Sequence, residues 1–168
     1  KGGHVTPLAL DTLRERRVTV VREGAVGDTE GLAPVAAPTR FAVGSDHSGL
    51  TLRKAVRDYL RQRGLAVQEV GLDTPDPVDY PDLAYAVARL VGSGKAWRGV
   101  VVDGAGIGSA MAANKVPGIR AAAAGDLESA RLSREHNDAN VLALGARITP
   151  PALAGTTERI AYLEEGDV

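Results

Sequence analysis

The chain has 168 residues, 44% of them hydrophobic and 24% charged, with a formal net charge of −1, only 4% aromatics and no cysteine. That size supports a buried core built from Val, Leu, Ile and Ala, while the near-neutral charge gives no basic field for nucleic acid and no long apolar run is available for a membrane span. The lack of cysteine excludes disulfides, thiolate nucleophiles and thiolate metal sites, and fits a cytoplasmic protein.

In chain order, Thr6-Pro7 is a helix start, Leu8 to Arg17 is helical and Val18 to Val21 is β-prone, a short helix-strand unit. Gly24 to Pro38 is rich in Gly, Ala and Pro and reads as a linker, so the expected division is an extension over 1–38 and a main domain over 39–168. Strands are then expected at Phe41–Gly44, Ala66–Val70, Val100–Val102, Ile119–Ala124 and Val141–Leu144, and helices at Leu50–Arg63, Pro81–Val91, Ser109–Lys115, Leu127–His136 and Pro151–Leu163. Strands alternating with helices predict right-handed crossovers and a Rossmann-like, doubly wound five-stranded parallel sheet, covered on both faces.

The densest signal lies between the third strand and the helix after it. Val100 to Val102 ends in Asp103 and opens into Gly104-Ala105-Gly106-Ile107-Gly108. Alternate glycines let backbone amides approach a ligand, and the following helix N-terminus favours negative charge, so the turn is a candidate site for a phosphate, carboxylate or enolate. A tight turn that binds nothing is the plainer alternative. The other polar groups fall at element ends. Asp46-His47 follow the first strand, His136-Asn137 end the fourth helix and Arg147 follows the fifth strand, and these are expected to meet the glycine turn in one pocket. Each has an ordinary reading too: Asp46 as a helix N-cap, His136 as a helix C-terminal residue favoured by the dipole, and Arg147 as a surface cation.

Taken together, Gly44-Ser45-Asp46-His47-Ser48-Gly49, Val78-Asp79-Tyr80-Pro81-Asp82, the glycine turn with Ala112-Ala113-Asn114-Lys115-Val116-Pro117-Gly118-Ile119-Arg120, and Ser133-Arg134-Glu135-His136-Asn137-Asp138-Ala139-Asn140 through Arg147 resemble the type B ribose-5-phosphate isomerases and the related galactose-6-phosphate isomerase subunits. The resemblance spans Phe41 to Arg147 in order. It implies aldose-ketose isomerisation of a sugar phosphate through a cis-enediolate, without metal or other cofactor. His136 would open the sugar ring, Asn137 and Asp46 would contact its hydroxyls, the amides of Gly104, Ala105, Gly106, Ile107 and Gly108 would hold the enediolate, and His47 and Arg147 would hold the phosphate. It also implies a homodimer or dimer of dimers whose pockets use both subunits.

Two departures stand out. Many family members carry a cysteine base where this chain has Asp103. A carboxylate is a competent base for a carbon acid; burial would raise its pKa toward working pH, and the donors of the turn would lower it. The chain ends in an acidic stretch, Thr157 to Val168, where the family is usually basic, which implies a weaker phosphate site. A non-catalytic sugar-phosphate-binding homologue is the alternative. The stretch Thr6 to Arg14 resembles short helices of some bacterial microcompartment enzymes, which marks the extension as a candidate targeting element and the microcompartment lumen as an alternative location.

Overall fold

A β-branched or small residue at nearly every position of Phe41–Val43, Val100–Val102 and Val141–Ala143 builds the centre of the sheet, and all of these residues are buried. The computed structural model describes residues 40–148 and 156–164, which lie within a unit running from Ala37 to Val168. The expected helix-strand unit, linker and domain boundary fall outside the described residues.

The strands are β1 (Arg40–Ser45), β2 (Ala66–Val70), β3 (Arg98–Asp103), β4 (Ala121–Ala123) and β5 (Val141–Gly145), and the helices α1 (Leu50–Gln62), α2 (Tyr80–Gly92), α3 (Ile107–Ala113), α4 (Leu127–Glu135) and α5 (Thr156–Glu164). One five-stranded sheet has the order β2-β1-β3-β5-β4, and every pairing is parallel. Phe41, Val43, Val100, Val102, Leu142 and Leu144 face one way, onto Val56 and Leu60 of α1, Ala130 of α4 and Ile160 and Leu163 of α5. Ala42, Val101, Val141 and Ala143 face the other, onto α2 and α3. The second face is made of smaller side chains, and a Cβ on Gly44 or Gly99 would lie 2.7 or 2.8 Å from Val87, so α2 packs directly against the sheet backbone. Each fully buried Leu, Val or Phe contributes about 1.5–3 kcal/mol relative to exposure.

Local sequence sets the element ends. Leu52, Val56 and Leu60 repeat at helical spacing along the buried side of α1. That helix stops where Leu65 N bonds back to Leu60 O, with Gly64 at φ +78. In α4, Asp126 and Ser129 form a reciprocal capping box. β4 is shorter than the expected Ile119–Ala124 because the Arg120 amide donates to the Asn140 side chain at 2.8 Å rather than to a strand. α3 begins at Ile107, two residues ahead of expectation, because Asp103 closes the turn ahead of it.

Parallel strands give the sheet two chemically distinct edges. Chain order sends β1 to β2 on one side and returns it to β3 on the other, so the loops leaving β1 and β3 diverge. That divergence opens a crevice at the carboxyl ends of adjacent strands, where open α/β sheets hold ligands.

Candidate active site

Asp103 sits at the carboxyl end of β3 and is 4% exposed. One carboxylate oxygen accepts from the Ala105 amide at 2.8 Å and from the Gly106 amide, and the other accepts from the Ser109 amide at 2.9 Å. Burial pushes its pKa up, but the Ser109 hydroxyl and the Gly106, Ser109 and Ala105 amides together outweigh it and hold the carboxyl below its ordinary range. Of the two opposing effects expected from the sequence, the donors win. The side chain folds the turn around itself and caps α3.

The glycines of the turn answer to space as well as to conformation. Gly106 has φ +78, and a Cβ there would lie 3.0 Å from Ala143 O. A Cβ on Gly108 would lie 2.6 Å from the Tyr80 ring, so the first residue of α2 walls the turn. Tyr80 belongs to a motif singled out in the sequence without any role; only a contact between residues 28 positions apart reveals one. The expected anion hole is narrower than the whole turn. The Ala105 and Gly106 amides are spent on Asp103, and Ser109 N is spent there too, which leaves Ile107 and Gly108 as the first-turn amides with no intrahelical acceptor. Arg147 lies over the turn. A Cβ on Gly104 would be 3.5 Å from Arg147 Cδ and Nε, and the Arg147 amide donates to Gly104 O at 3.0 Å.

Across the crevice, Asp46 follows β1. Its Oδ1 accepts from Ser48 N at 2.9 Å, Ser48 Oγ at 2.7 Å and Gly49 N at 3.0 Å, capping the short 3-10 turn His47–Gly49. Its amide donates to Val102 O at 3.1 Å, which pins it beside the strand that ends in Asp103. His47 is exposed on the same edge. A third anchor was not anticipated: the buried Arg53 guanidinium donates to Val70 O at 3.1 Å, Leu72 O at 3.2 Å and the Asp73 carboxylate, fixing the loop that leaves β2.

His136 and Asn137 are elsewhere. α4 starts at the carboxyl edge and runs back, so both residues lie shortly before β5 begins, at the amino edge of the sheet, where Asn140 bonds to the Arg120 amide and Gly118 O. β5 is five residues long, so about 15 Å of strand separates them from Gly145 and Arg147. The expected meeting of His136 and Asn137 with Asp46, His47, Arg147 and the glycine turn does not occur within one chain. Both are exposed and extend from a rigid base. The following residue, Asp138, has φ +47; its carboxylate accepts from Arg134 Nη1 at 2.7 Å and from Arg120, and its carbonyl accepts from Arg120 Nε at 2.7 Å. Burial raises the Asp138 pKa, but Arg134, Arg120 and Arg98 outweigh it and lower it overall.

Among the described residues no helix is long and apolar enough to cross a membrane. Residues 41–162 match the model of the ribose/galactose isomerase family. The chain is similar to D-erythrulose-4-phosphate isomerase of Pectobacterium atrosepticum, at 45% identity over 68% of this chain and 76% of that protein. It is also similar to ribose-5-phosphate isomerase B of Escherichia coli, at 41% identity over 68% of this chain and 77% of that protein. Among solved structures, ribose-5-phosphate isomerase B of Clostridium thermocellum superposes with a TM-score of 0.72 at 43% identity, covering 76% of this chain and 85% of that one. With the parallel sheet, its crevice and the glycine turn all in place over the matched residues, the chain belongs to the ribose/galactose isomerase family of sugar-phosphate isomerases.

Proposed function

We propose that this protein interconverts an aldose phosphate and the corresponding ketose phosphate through a cis-enediolate, on a substrate of the ribose 5-phosphate and ribulose 5-phosphate type or a four-carbon analogue. The observation that carries the reading is the arrangement at the carboxyl edge: a glycine turn with the Ile107 and Gly108 amides unused by its helix, and the Arg147 side chain over Gly104, with no ion-pair partner among the described residues. Amides placed where oxyanion charge develops stabilise an enediolate, and a guanidinium beside them holds a phosphate with charge-assisted hydrogen bonds. His47, exposed on that edge, is a second phosphate contact.

The site is completed by a second copy of the chain. His136 and Asn137 stand too far from the turn of their own chain, and a two-fold dimer exchanges such groups reciprocally. Ile107 and Met111, one helical turn apart on α3, are 53% and 64% exposed beside the turn, an apolar row suited to burial by the second copy. In that arrangement His136 opens the furanose and Asn137 binds a hydroxyl.

Proton NMR in deuterated buffer tests the reaction on ribose 5-phosphate, ribulose 5-phosphate and erythrulose 4-phosphate. Deuterium entering C1 or C2 together with formation of the isomer is the expected result. A protein that is stabilised by these sugars yet exchanges no proton is a binding homologue instead. Sedimentation at the assay concentration is expected to give a dimer or dimer of dimers.

A further inference from the structure

Isomerisation needs one group to lift the proton from C2 and return it at C1, and two carboxylates border the β1/β3 crevice. They are built differently. Asp103 has donors on both oxygens: the Ala105 and Gly106 amides on one, the Ser109 amide on the other. A base needs a lone pair within reach of the carbon acid, and withdrawing this carboxylate from its donors would leave buried amides unsatisfied and dismantle the turn that holds the enediolate. Asp46 has three donors, all on Oδ1. Its Oδ2 accepts from no described residue and is not among the fully buried unpartnered polar atoms, so it keeps some solvent access in a side chain that is otherwise 8% exposed. The Asp46 amide is tied to Val102 O at 3.1 Å, one residue before Asp103, so an anchored carboxylate with one free oxygen stands beside the turn.

We infer, on the reading that the protein is an aldose-ketose isomerase, that Asp46 Oδ2 is the base that carries the proton between C2 and C1 and that Asp103 is a positioning residue for the turn. In the forward step Oδ2 takes the C2 proton, the C–H electron pair becomes the C1=C2 bond, and the carbonyl electrons move onto O1. The O2 hydroxyl proton passes to O1 within the cis-enediolate. The protonated Asp46 then returns its proton to C1 as the C2=O2 bond forms, so the carboxylate is regenerated and no oxidant or reductant is required.

The test is deuterium exchange at C1 and C2 of ribose 5-phosphate in wild type, Asp46→Asn, Asp103→Asn and His136→Asn, paired with calorimetric binding of 5-phosphoribonate, which cannot isomerise. Asn at position 46 still caps the turn through its Oδ1, so the fold is retained. Asp46→Asn is expected to bind 5-phosphoribonate within about threefold of wild type and to lose exchange by about 10³-fold. Asp103→Asn is expected to keep exchange within about tenfold, with an unshifted pH profile and a lower melting temperature. Near-normal exchange in Asp46→Asn, loss of ligand binding along with exchange in that variant, or abolished exchange with intact binding in Asp103→Asn each overturns the assignment. Exchange that survives in Asp46→Asn but is lost in His136→Asn overturns it in favour of the second copy's histidine. A wild-type protein that exchanges nothing removes the isomerase reading itself, a different result from exchange that merely ignores Asp46.

Discussion

The two edges of the sheet are built by opposite means. At the carboxyl edge, carboxylates are turned inward: Asp103 and Asp46 gather backbone amides and fix loops whose outward-facing groups are mostly main chain. At the amino edge, ionic groups grip the backbone so that side chains are turned outward, with Arg120 and Arg134 clamping Asp138 behind the exposed His136 and Asn137. On the proposed reading, one edge is a receptor and the other a tool. Because α4 must return to the edge where β5 begins, a single chain cannot bring its own His136 to its own glycine turn, and on the proposed reading assembly is a condition of the chemistry rather than an accessory to it.

The strongest way to break that contrast is to disable one edge at a time. His136→Asn is expected to lower kcat on a furanose phosphate by about 10² to 10⁴-fold, and so is a lesion at Asp46. Mixing the two inactive variants and allowing subunits to reassort is expected to restore about a quarter of the sites, since a mixed two-fold dimer holds one intact site. Activity that stays absent after proven reassortment shows that the two residues serve one chain's site.

The receptor edge is tested next through its backbone. Gly106→Ala places a side chain at φ +78 and within 3.0 Å of Ala143 O. It is expected to cost about 1–3 kcal/mol of stability, read as a fall in urea midpoint without a change in slope. Asp103→Asn is expected to cost a similar amount, about 1–3 kcal/mol, because one oxygen that accepted the Ser109 amide becomes a donor. The sign with pH follows from the depressed pKa of Asp103 in the fold. In the unfolded chain the carboxyl titrates near about 3.9, so its contribution is fully present above that pH and is lost as pH falls through the lower folded value. The gap in stability between wild type and Asp103→Asn is therefore expected to close on acidification below about pH 4. A gap that widens there contradicts the capping role.

Smaller effects sharpen the division of labour. Arg147→Ala is expected to raise KM for a phosphorylated sugar by about tenfold, with kcat little changed, and high salt is expected to shrink the difference. Asp138→Asn keeps a residue type that tolerates the left-handed backbone but weakens the clamp on both arginines. A fall in kcat of about threefold with KM unchanged is the expected reading of a slightly loosened His136, and an effect on KM alone would place Asp138 in the receptor rather than the tool.

Much of this is legible in the amino-acid sequence. The strands could be read because β-branched runs end at Gly, Asp and Pro, and the glycine turn because alternate glycines between a strand and a helix have few other uses. Asp46 as an N-cap was legible as one of two alternatives, and its free second oxygen leaves both open at once. The role of Asp103 was not legible. Burial and hydrogen bonding push a carboxyl in opposite directions, and which prevails depends on whether three amides and a hydroxyl converge on it, a matter of tenths of an ångström. Tyr80 was visible as part of a motif but not as the wall against Gly108, since that contact joins two helix starts far apart in sequence.

The family, the parallel α/β class and the inventory of polar groups at element ends are readable from residue order alone, because these follow from local periodicity and from long motifs in fixed order. Which ends share an edge, and which donors a carboxylate has already claimed, depends on how the elements pack. Alternating direction sends His136 to the amino edge while Asp46, Asp103 and Arg147 stay at the carboxyl edge, and hydrogen-bond geometry, not residue type, separates the carboxylate with donors on both oxygens from the one with an oxygen left without a donor.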